Sequence, residues 1–152
     1  MSDKPIYIHY GSDKFTVPNP IRNRSHFNKP RGGMWASRKD AAFGWIDFCK
    51  NEEFGLDRLG TSFEFTLKDG ARILVLENID QLDILPKNVD APKYIKGSQW
   101  SDCCLDFEKL SKEYNAIELP CEAPFHWALY GWDCDCILIM NPDIVELIPV
   151  NA

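Results

Sequence analysis

Hydrophobic and polar residues alternate most regularly in SFEFTLKDGARILVLE, the segment of residues 62–77. Every second residue from Phe63 to Leu67 is apolar, which is the period of a strand with one buried face. Asp69 and Gly70 then form a turn dipeptide, and residues 71–76 are apolar enough to return as a second strand. The pattern therefore predicts a β-hairpin with its turn at Asp69 and Gly70.

Three shorter apolar runs predict further strands. YIHY occupies residues 7–10 and ends at Gly11, AIEL occupies residues 116–119, and CILIM occupies residues 136–140. None of these runs is long enough to cross a bilayer, and the opening residues MSDKPIYI lack the basic and long apolar regions of a signal peptide. We therefore expect a cytoplasmic protein that does not enter the membrane.

Helical periodicity lies between the strands. Ser37, with Asp40 three residues later, has the spacing of a capping box, which predicts a helix from there to Cys49. A second helix is predicted from Ser101 to Tyr114. The buried stripe of this second helix comprises Cys103, Phe107, Leu110 and Tyr114. The segment IDQLDILP predicts a short helix that Pro86 ends.

The order of these elements predicts a single α+β domain over residues 1–152, because strands outnumber helices and the helices interrupt them irregularly. Hydrophobic residues make up 45% of the chain and charged residues 26%, which is the composition of a folded domain with its own core. The net charge of −6 argues against a protein that coats nucleic acid by general electrostatics.

Six cysteines raise the question of zinc or disulfides. They are Cys49, Cys103, Cys104, Cys121, Cys134 and Cys136. No two of them have the C-x-x-C spacing of a zinc knuckle. We interpret them as free thiols in a reducing compartment, and we expect no metal site.

Residues 16–33, TVPNPIRNRSHFNKPRGG, predict a long loop rich in proline, asparagine and glycine. Loops of this length inside compact domains are commonly functional. Its four basic residues are Arg22, Arg24, Lys29 and Arg31. We expect residues 18–33 to lie along a ligand cleft and to become ordered on binding, with these cations near a phosphate group.

Three short motifs follow one another along the chain: HYGS at residues 9–12, GGMWAS at residues 32–37 and WDCDCILIMNP at residues 132–142. In this order they resemble the ADP-ribosyltransferase superfamily. Its members carry an H-G-S/T or H-Y-T first strand, then a G-x-Y/W-x-[AS] strand, then an acidic residue at the start of a late strand. The segment FEFTLKDGARILVLE is also similar to central strands of bacterial members.

The resemblance implies two small packed β-sheets that form a central NAD cleft with flanking helices. It implies a cytoplasmic mono-ADP-ribosyltransferase that uses NAD as a substrate to modify a macromolecular acceptor, in the company of toxin, phage and defence proteins. The acidic balance of the chain favours a protein acceptor over a nucleic acid. Two alternatives with the same fold are an NAD glycohydrolase, with water as the acceptor, and an inactive NAD-binding or interaction module.

For the first motif, the resemblance implies that Gly11 lets the backbone approach the nicotinamide carboxamide. Ser12 completes the motif. His9 or Tyr10 would contact the adenosine ribose, and only one of them should face NAD because neighbouring strand residues point to opposite faces. We favour His9 and count it among the catalytic residues.

For the second motif, the resemblance implies that Trp35 flanks the nicotinamide and that Phe43 supplies a second stacking ring. Ser37 either supports this site or only caps the helix that follows. Arg31 is the residue of the long loop that we assign to NAD binding.

For the third motif, the resemblance implies that Asp135 stabilises the ribosyl cation and that Asp133 acts on the acceptor. The family element is [E/Q]-x-E, so this chain departs from it with aspartate at both positions. Glu118 and Glu122 are the alternative carboxylates. Aromatic residues of an implied acceptor-contacting loop precede Asp133, namely Phe125, His126, Trp127 and Tyr130.

Overall fold

A computed structural model of the chain describes residues 4–23, 29–78, 80–88, 105–120, 132 and 134–149. The strands within these residues are β1 Tyr7–Tyr10, β2 Met34–Arg38, β3 Ser62–Leu67, β4 Ile73–Val75, β5 Ala116–Leu119, β6 Cys136–Ile139 and β7 Val145–Leu147. The helices are α1 Trp45–Glu52, α2 Gln81–Ile84 and α3 Phe107–Glu113. Single 3-10 turns occur at Leu56–Arg58 and Pro142–Ile144.

The strands form one continuous curled sheet in the order β4-β5-β6-β2-β1-β3-β7. Neighbouring strands are antiparallel except β4 and β5, which are parallel. The predicted α+β class is therefore confirmed. Where two separate sheets were predicted, strand pairing instead runs unbroken from β4 to β7, because β1 and β2 pair and join the two halves.

Strand β3 has the alternating burial that its sequence predicts, with every second residue from Phe63 to Leu67 buried. The turn at Asp69 and Gly70 also forms, and Gly70 has a φ of +83°, which glycine adopts without strain. The predicted hairpin is wrong, however. Strand β3 pairs with β1 and β7, whereas β4 pairs with β5 at the opposite edge of the sheet, where Leu74 packs beneath α3.

Helix α1 begins at Trp45, not at the predicted Ser37. Ser37 lies in β2, because this segment pairs with β1 on one side and with β6 on the other. The carboxylate of Asp47 caps the first turn of α1 by accepting a hydrogen bond from the Gly44 N–H at 2.9 Å. Cys49, the predicted end of this helix, lies within α1 and is buried.

Helix α3 begins at Phe107 with Asp106 as its N-cap, and Leu105 before it forms an isolated bridge with Lys87. The predicted start at Ser101 lies outside the described residues. Phe107 and Leu110 are buried as predicted, and Cys103 lies outside the described residues. Helix α2 and strands β5 and β6 form in the segments predicted for them. Within the described ranges, no helix has the length and apolar content needed to cross a lipid bilayer.

The sheet buries a hydrophobic cluster on each of its faces. The helix-side cluster is built around Phe107 and Trp132, and side chains from α1 pack against it. The inner cluster is built around Tyr7 and Phe65 and combines side chains of β3 with side chains of β6. Residues of β6 alternate between the two clusters, so this central strand is buried on both faces, as its unbroken apolar run predicts.

The described parts of the long loop are tied to the body of the domain. Arg22 and Arg31 exchange backbone hydrogen bonds of 3.0 and 2.8 Å, and Ile21 is buried in the helix-side cluster. Residues 24–28 lie outside the described residues. The expectation that this loop becomes ordered when ligand binds therefore stays a prediction.

Candidate functional site

A cleft opens where strands β1 and β2 separate. Tyr7 pairs with Arg38 and Ile8 pairs with Ser37, and the pairing of the two strands stops there. Strand β1 nevertheless continues along β3 through Tyr10. The ring of His9 spans the gap that results, with its Nδ1 atom 2.6 Å from the Trp35 carbonyl oxygen.

The cleft has a volume of about 220 Å³ and mostly apolar walls. It brings together parts of β1 and β2, the start of α1, the segment after α1, and the residues that lead into β6. The residues that line it are Ile8, His9, Tyr10, Lys29, Trp35, Ala36, Ser37, Trp45, Phe54, Gly55, Arg58, Cys134 and Cys136. Four of the site residues predicted from the sequence are among them, namely His9, Tyr10, Trp35 and Ser37.

His9 is held by contacts with the strands on either side of it, β2 and β3. Its ring packs against Phe63 with 5.1 Å between centroids. Because the Trp35 carbonyl can only accept a hydrogen bond, Nδ1 must carry the proton in this contact. In the neutral ring, Nε2 is then an acceptor, so it can accept a hydrogen bond from a hydroxyl group of a ligand.

Trp35 forms one wall of the cleft. Its ring meets Trp132 edge-on at 4.8 Å between centroids, which fixes its orientation against the helix-side cluster. The Nζ atom of Lys29 lies 5.1 Å from the ring centroid, within the range of a cation–π contact. The cleft therefore presents an aromatic surface and a cation side by side.

Ser37 joins three elements at the base of the cleft. Its hydroxyl donates to the carbonyl oxygen of Asp135 at 2.8 Å and accepts from the N–H of Trp45 at 2.9 Å. The residue is buried, so both contacts are shielded from water. Ser37 therefore caps the first turn of α1 from the neighbouring strand, and its support of an NAD site stays a prediction.

Tyr10 and a group of aromatic residues form the outer part of the cleft. Burial raises the pKa of Tyr10, and the nearby charges of Asp47 and Glu64 raise it further. Trp45 meets Phe54 edge-on at 6.1 Å, and Phe54 is half exposed. The cleft is also lined by residues that the sequence did not assign to the NAD site, namely Trp45, Phe54, Arg58, Cys134 and Cys136. Of these, the cysteines carried a signal, because they flank the acidic residue chosen for the third motif.

Other predicted site residues do not line the cleft. The Gly11 N–H donates to the Thr61 carbonyl oxygen at 2.9 Å, and the Ser12 hydroxyl donates to the Lys14 carbonyl oxygen at 2.8 Å. Phe43 packs against the helix-side cluster. Arg31 is held by its backbone bridge within the long loop. Their assignment to NAD binding stays a prediction.

Asp135 lies immediately before β6 and between the two cleft-lining cysteines. It is 9% exposed, its N–H donates to the Phe43 carbonyl oxygen at 2.9 Å, and its carbonyl accepts from Ser37. Its side chain is not among the groups that line the cleft. Asp133, the proposed partner in catalysis, lies outside the described residues.

Glu118 occupies a different environment from Asp135. It is 2% exposed and sits on the opposite face of β5 from the helix-side cluster, paired with Arg38 and Tyr7. Hydrogen bonding to Glu118 is the main cause that raises the pKa of Arg38, and the charge of Asp135 adds to it. Glu122 and the aromatic residues 125–130 lie outside the described residues.

Metal binding has no support in the part of the chain that the structure describes, since no three His, Cys, Asp or Glu side chains there come together as possible ligands. Comparisons of the chain with family models, curated proteins and solved structures find no match in any of the three.

Proposed function

We propose that the cleft binds NAD and that the chain transfers ADP-ribose from it to a macromolecular acceptor. The observation that carries this proposal is the separation of β1 from β2. It places His9 and Tyr10 from the first sequence motif beside Trp35 and Ser37 from the second, around one cavity. These motifs are the ones on which the resemblance to ADP-ribosyltransferases rests.

The size and chemistry of the cleft support the nicotinamide end of NAD as its occupant. A volume of about 220 Å³ is below the ~300 Å³ at which sites for drug-sized ligands begin, so the cleft suits one ring and its ribose better than a whole dinucleotide. Trp35 offers a stacking surface, while Lys29 and Arg58 offer cations for the pyrophosphate.

In the proposed reaction the bond between the nicotinamide nitrogen and the ribose anomeric carbon breaks, and nicotinamide leaves with the bonding electrons. The acceptor nucleophile then attacks the anomeric carbon and loses its proton. Positive charge develops on the ribose, so a carboxylate that is aligned with it lowers the barrier. Asp135 is favoured over Glu118 because it lies between Cys134 and Cys136, which line the cleft, although its own side chain does not line it. The charge of Glu118 is already compensated by Arg38.

Turnover of NAD by the purified protein tests the proposal. Nicotinamide release and transfer of label from adenine-labelled NAD are followed with and without cell lysate. Release together with labelling of a macromolecule supports the transferase, and release without labelling indicates the glycohydrolase. Binding without release indicates the inactive module, and absence of NAD binding contradicts the whole assignment.

Two substitutions make this test specific. Trp35→Ala should weaken NAD binding by about 1–2 kcal/mol, the value of one stacking or cation–π contact. Asp135→Asn should lower kcat about a hundredfold or more and leave NAD binding nearly unchanged, because the carboxylate acts in the transition state. Asp143→Asn, at an exposed position after β6, is the matched control. Full activity in folded Asp135→Asn protein would exclude this carboxylate.

A further inference from the structure

Cys134 and Cys136 occupy an unusual position beside the cleft. Both line the cavity and both belong to the helix-side cluster, although only one residue separates them. Asp135 between them is fixed by one hydrogen bond from its N–H and another to its carbonyl oxygen, and the chain bends there. Both side chains belong to the same face of the chain, as alternate residues that lead into a strand do.

The two thiols are neighbours in the wall of the cleft and in the helix-side cluster. A hydrogen bond to Cys134 is the main cause that raises the pKa of Cys136, and burial raises it further. The charge of Lys29, which also lines the cleft, acts in the opposite direction. Cys49 is a third buried thiol. Burial raises the pKa of this thiol first, and proximity to Cys134 adds to the shift.

We propose that Cys134 and Cys136 form a reversible dithiol–disulfide site in the wall of the cleft, oxidised by hydrogen peroxide or by a small-molecule disulfide. Both residues line the cavity, so a small oxidant that enters it can approach them without unfolding of the chain. Cys49 is fully buried and does not line the cleft, so an oxidant in the cavity does not reach it directly. A ring closed across a single residue is strained, so the disulfide should be easily reduced.

The oxidant alone accepts the two electrons that the thiols lose when they form the disulfide. With peroxide, one thiolate attacks an oxygen atom, the O–O bond breaks, and water leaves after protonation, which gives a sulfenic acid. The second thiol loses its proton and attacks that sulfur, the S–O bond breaks, and a second water leaves. Two thiols and one peroxide thus give one disulfide and two waters. With a small disulfide, two exchange steps through a mixed disulfide give the same bond and two small thiols.

The test uses the full chain, reduced and then exposed to hydrogen peroxide or glutathione disulfide. Remaining thiols are alkylated in denaturant, and the mass and the peptide map of the product are measured. We expect two fewer alkylated thiols, a peptide that contains a Cys134–Cys136 bond, and full reversal by dithiothreitol. A pair that stays fully alkylatable, or that ends as a stable mixed disulfide with glutathione, would overturn the proposal.

Variants with a single cysteine replaced by serine identify the two cysteines that form the disulfide. Cys134→Ser and Cys136→Ser should each abolish the loss of two alkylatable thiols, whereas Cys49→Ser should retain it. A disulfide that forms through Cys49, or one that survives in Cys134→Ser protein, would show that the wrong pair has been chosen. Because the full-chain peptide map already locates the bond, the conclusion does not depend on every variant folding.

Discussion

The guanidinium of Arg38 donates two hydrogen bonds to the carboxylate of Glu118, from Nε at 2.8 Å and from Nη2 at 2.9 Å. The hydroxyl of Tyr7 adds a third donor at 3.2 Å. The carboxylate is thus satisfied inside the curl, where it is 2% exposed, while the side chain of Arg38 is 42% exposed. The two partners therefore depend on the pair to different degrees, because Arg38 can reach water and Glu118 cannot.

This asymmetry predicts unequal costs for breaking the pair. Arg38→Met leaves a buried carboxylate without its counter-charge and should lower the free energy of unfolding by about 3 kcal/mol. Glu118→Gln leaves Arg38 free to turn to solvent and should cost about 1 kcal/mol. The double variant should be more stable than Arg38→Met alone, since it no longer buries a charge. Urea unfolding of the four proteins measures this, and strictly additive losses would contradict it.

Tyr7 predicts how stability changes at alkaline pH. Burial raises the pKa of Tyr7 above its ordinary value of 10.0, and the charge of Glu118 raises it further. Above pH 10 the unfolded chain loses the phenolic proton while the folded chain keeps it, so stability falls as pH rises. Tyr7→Phe should therefore lower stability at neutral pH by about 1 kcal/mol and flatten its decline between about pH 10 and 12.

Tyr114→Phe is the matched control for the loss of a phenol outside this ion pair, because Tyr114 contacts Arg72 at the surface. Thermal unfolding across the pH series compares the two variants. An alkaline decline as steep in Tyr7→Phe as in the natural chain would assign the effect to other groups, such as the buried thiols.

The hydrogen bonds of Asn23 join the long loop to the start of α3, and we expect them to contribute to the stability of the protein. Its side-chain oxygen accepts from the N–H of Phe107 at 2.8 Å, and its amide donates to Asp106 at 2.9 Å. Asn23 therefore caps α3 together with the helix's own N-cap residue. Asn23→Ala should lower the free energy of unfolding by about 1–2 kcal/mol. Asn51→Ala, exposed on α1, should change it by less than about 0.5 kcal/mol.

The two hydrogen bonds of the Ser37 hydroxyl connect the wall of the cleft to the start of α1. Ser37→Ala removes one side-chain group and leaves two backbone groups without their partner, the N–H of Trp45 and the carbonyl of Asp135. We expect a loss of about 1–2 kcal/mol and increased hydrogen exchange at the first turn of α1. Ser111→Ala, which loses only a local contact within α3, is the control. If both substitutions lower the free energy of unfolding equally, the role of Ser37 in connecting the cleft to α1 is contradicted.

Local patterns in the sequence predict much of the secondary structure but not the strand pairing. Alternation from Phe63 to Leu67 identifies the buried face of β3, because burial on one side of a strand requires a period of two. The apolar run that follows Gly70 fits any neighbour equally well. Only the position of β5, which belongs to a distant part of the chain, decides that β4 crosses the sheet.

Ser37 and the cleft show a similar limit. The spacing of Ser37 and Asp40 matches a helix cap, but pairing with β1 and β6 draws this residue into a strand, from which it caps α1 across space. The motifs around His9 and Trp35 indicate that these residues share a site, and the structure brings them to one cavity. Arg58 carries no local pattern, since its place at the cleft depends on how the segment after α1 folds back.

The central position of β6 has a consequence for how the chain acquires its structure during synthesis. Trp35 pairs with Leu138, about 100 residues later, and β6 is the strand that fills the place between β2 and β5. Until β6 leaves the ribosome, β1, β2 and β3 can form one small unit and β4 and β5 another, each with an unprotected hydrogen-bonding edge. We expect the nascent chain to be most prone to misassembly just before its last strands emerge. Strand β6 then joins the two units in a single late step, by pairing with β2 on one side and with β5 on the other.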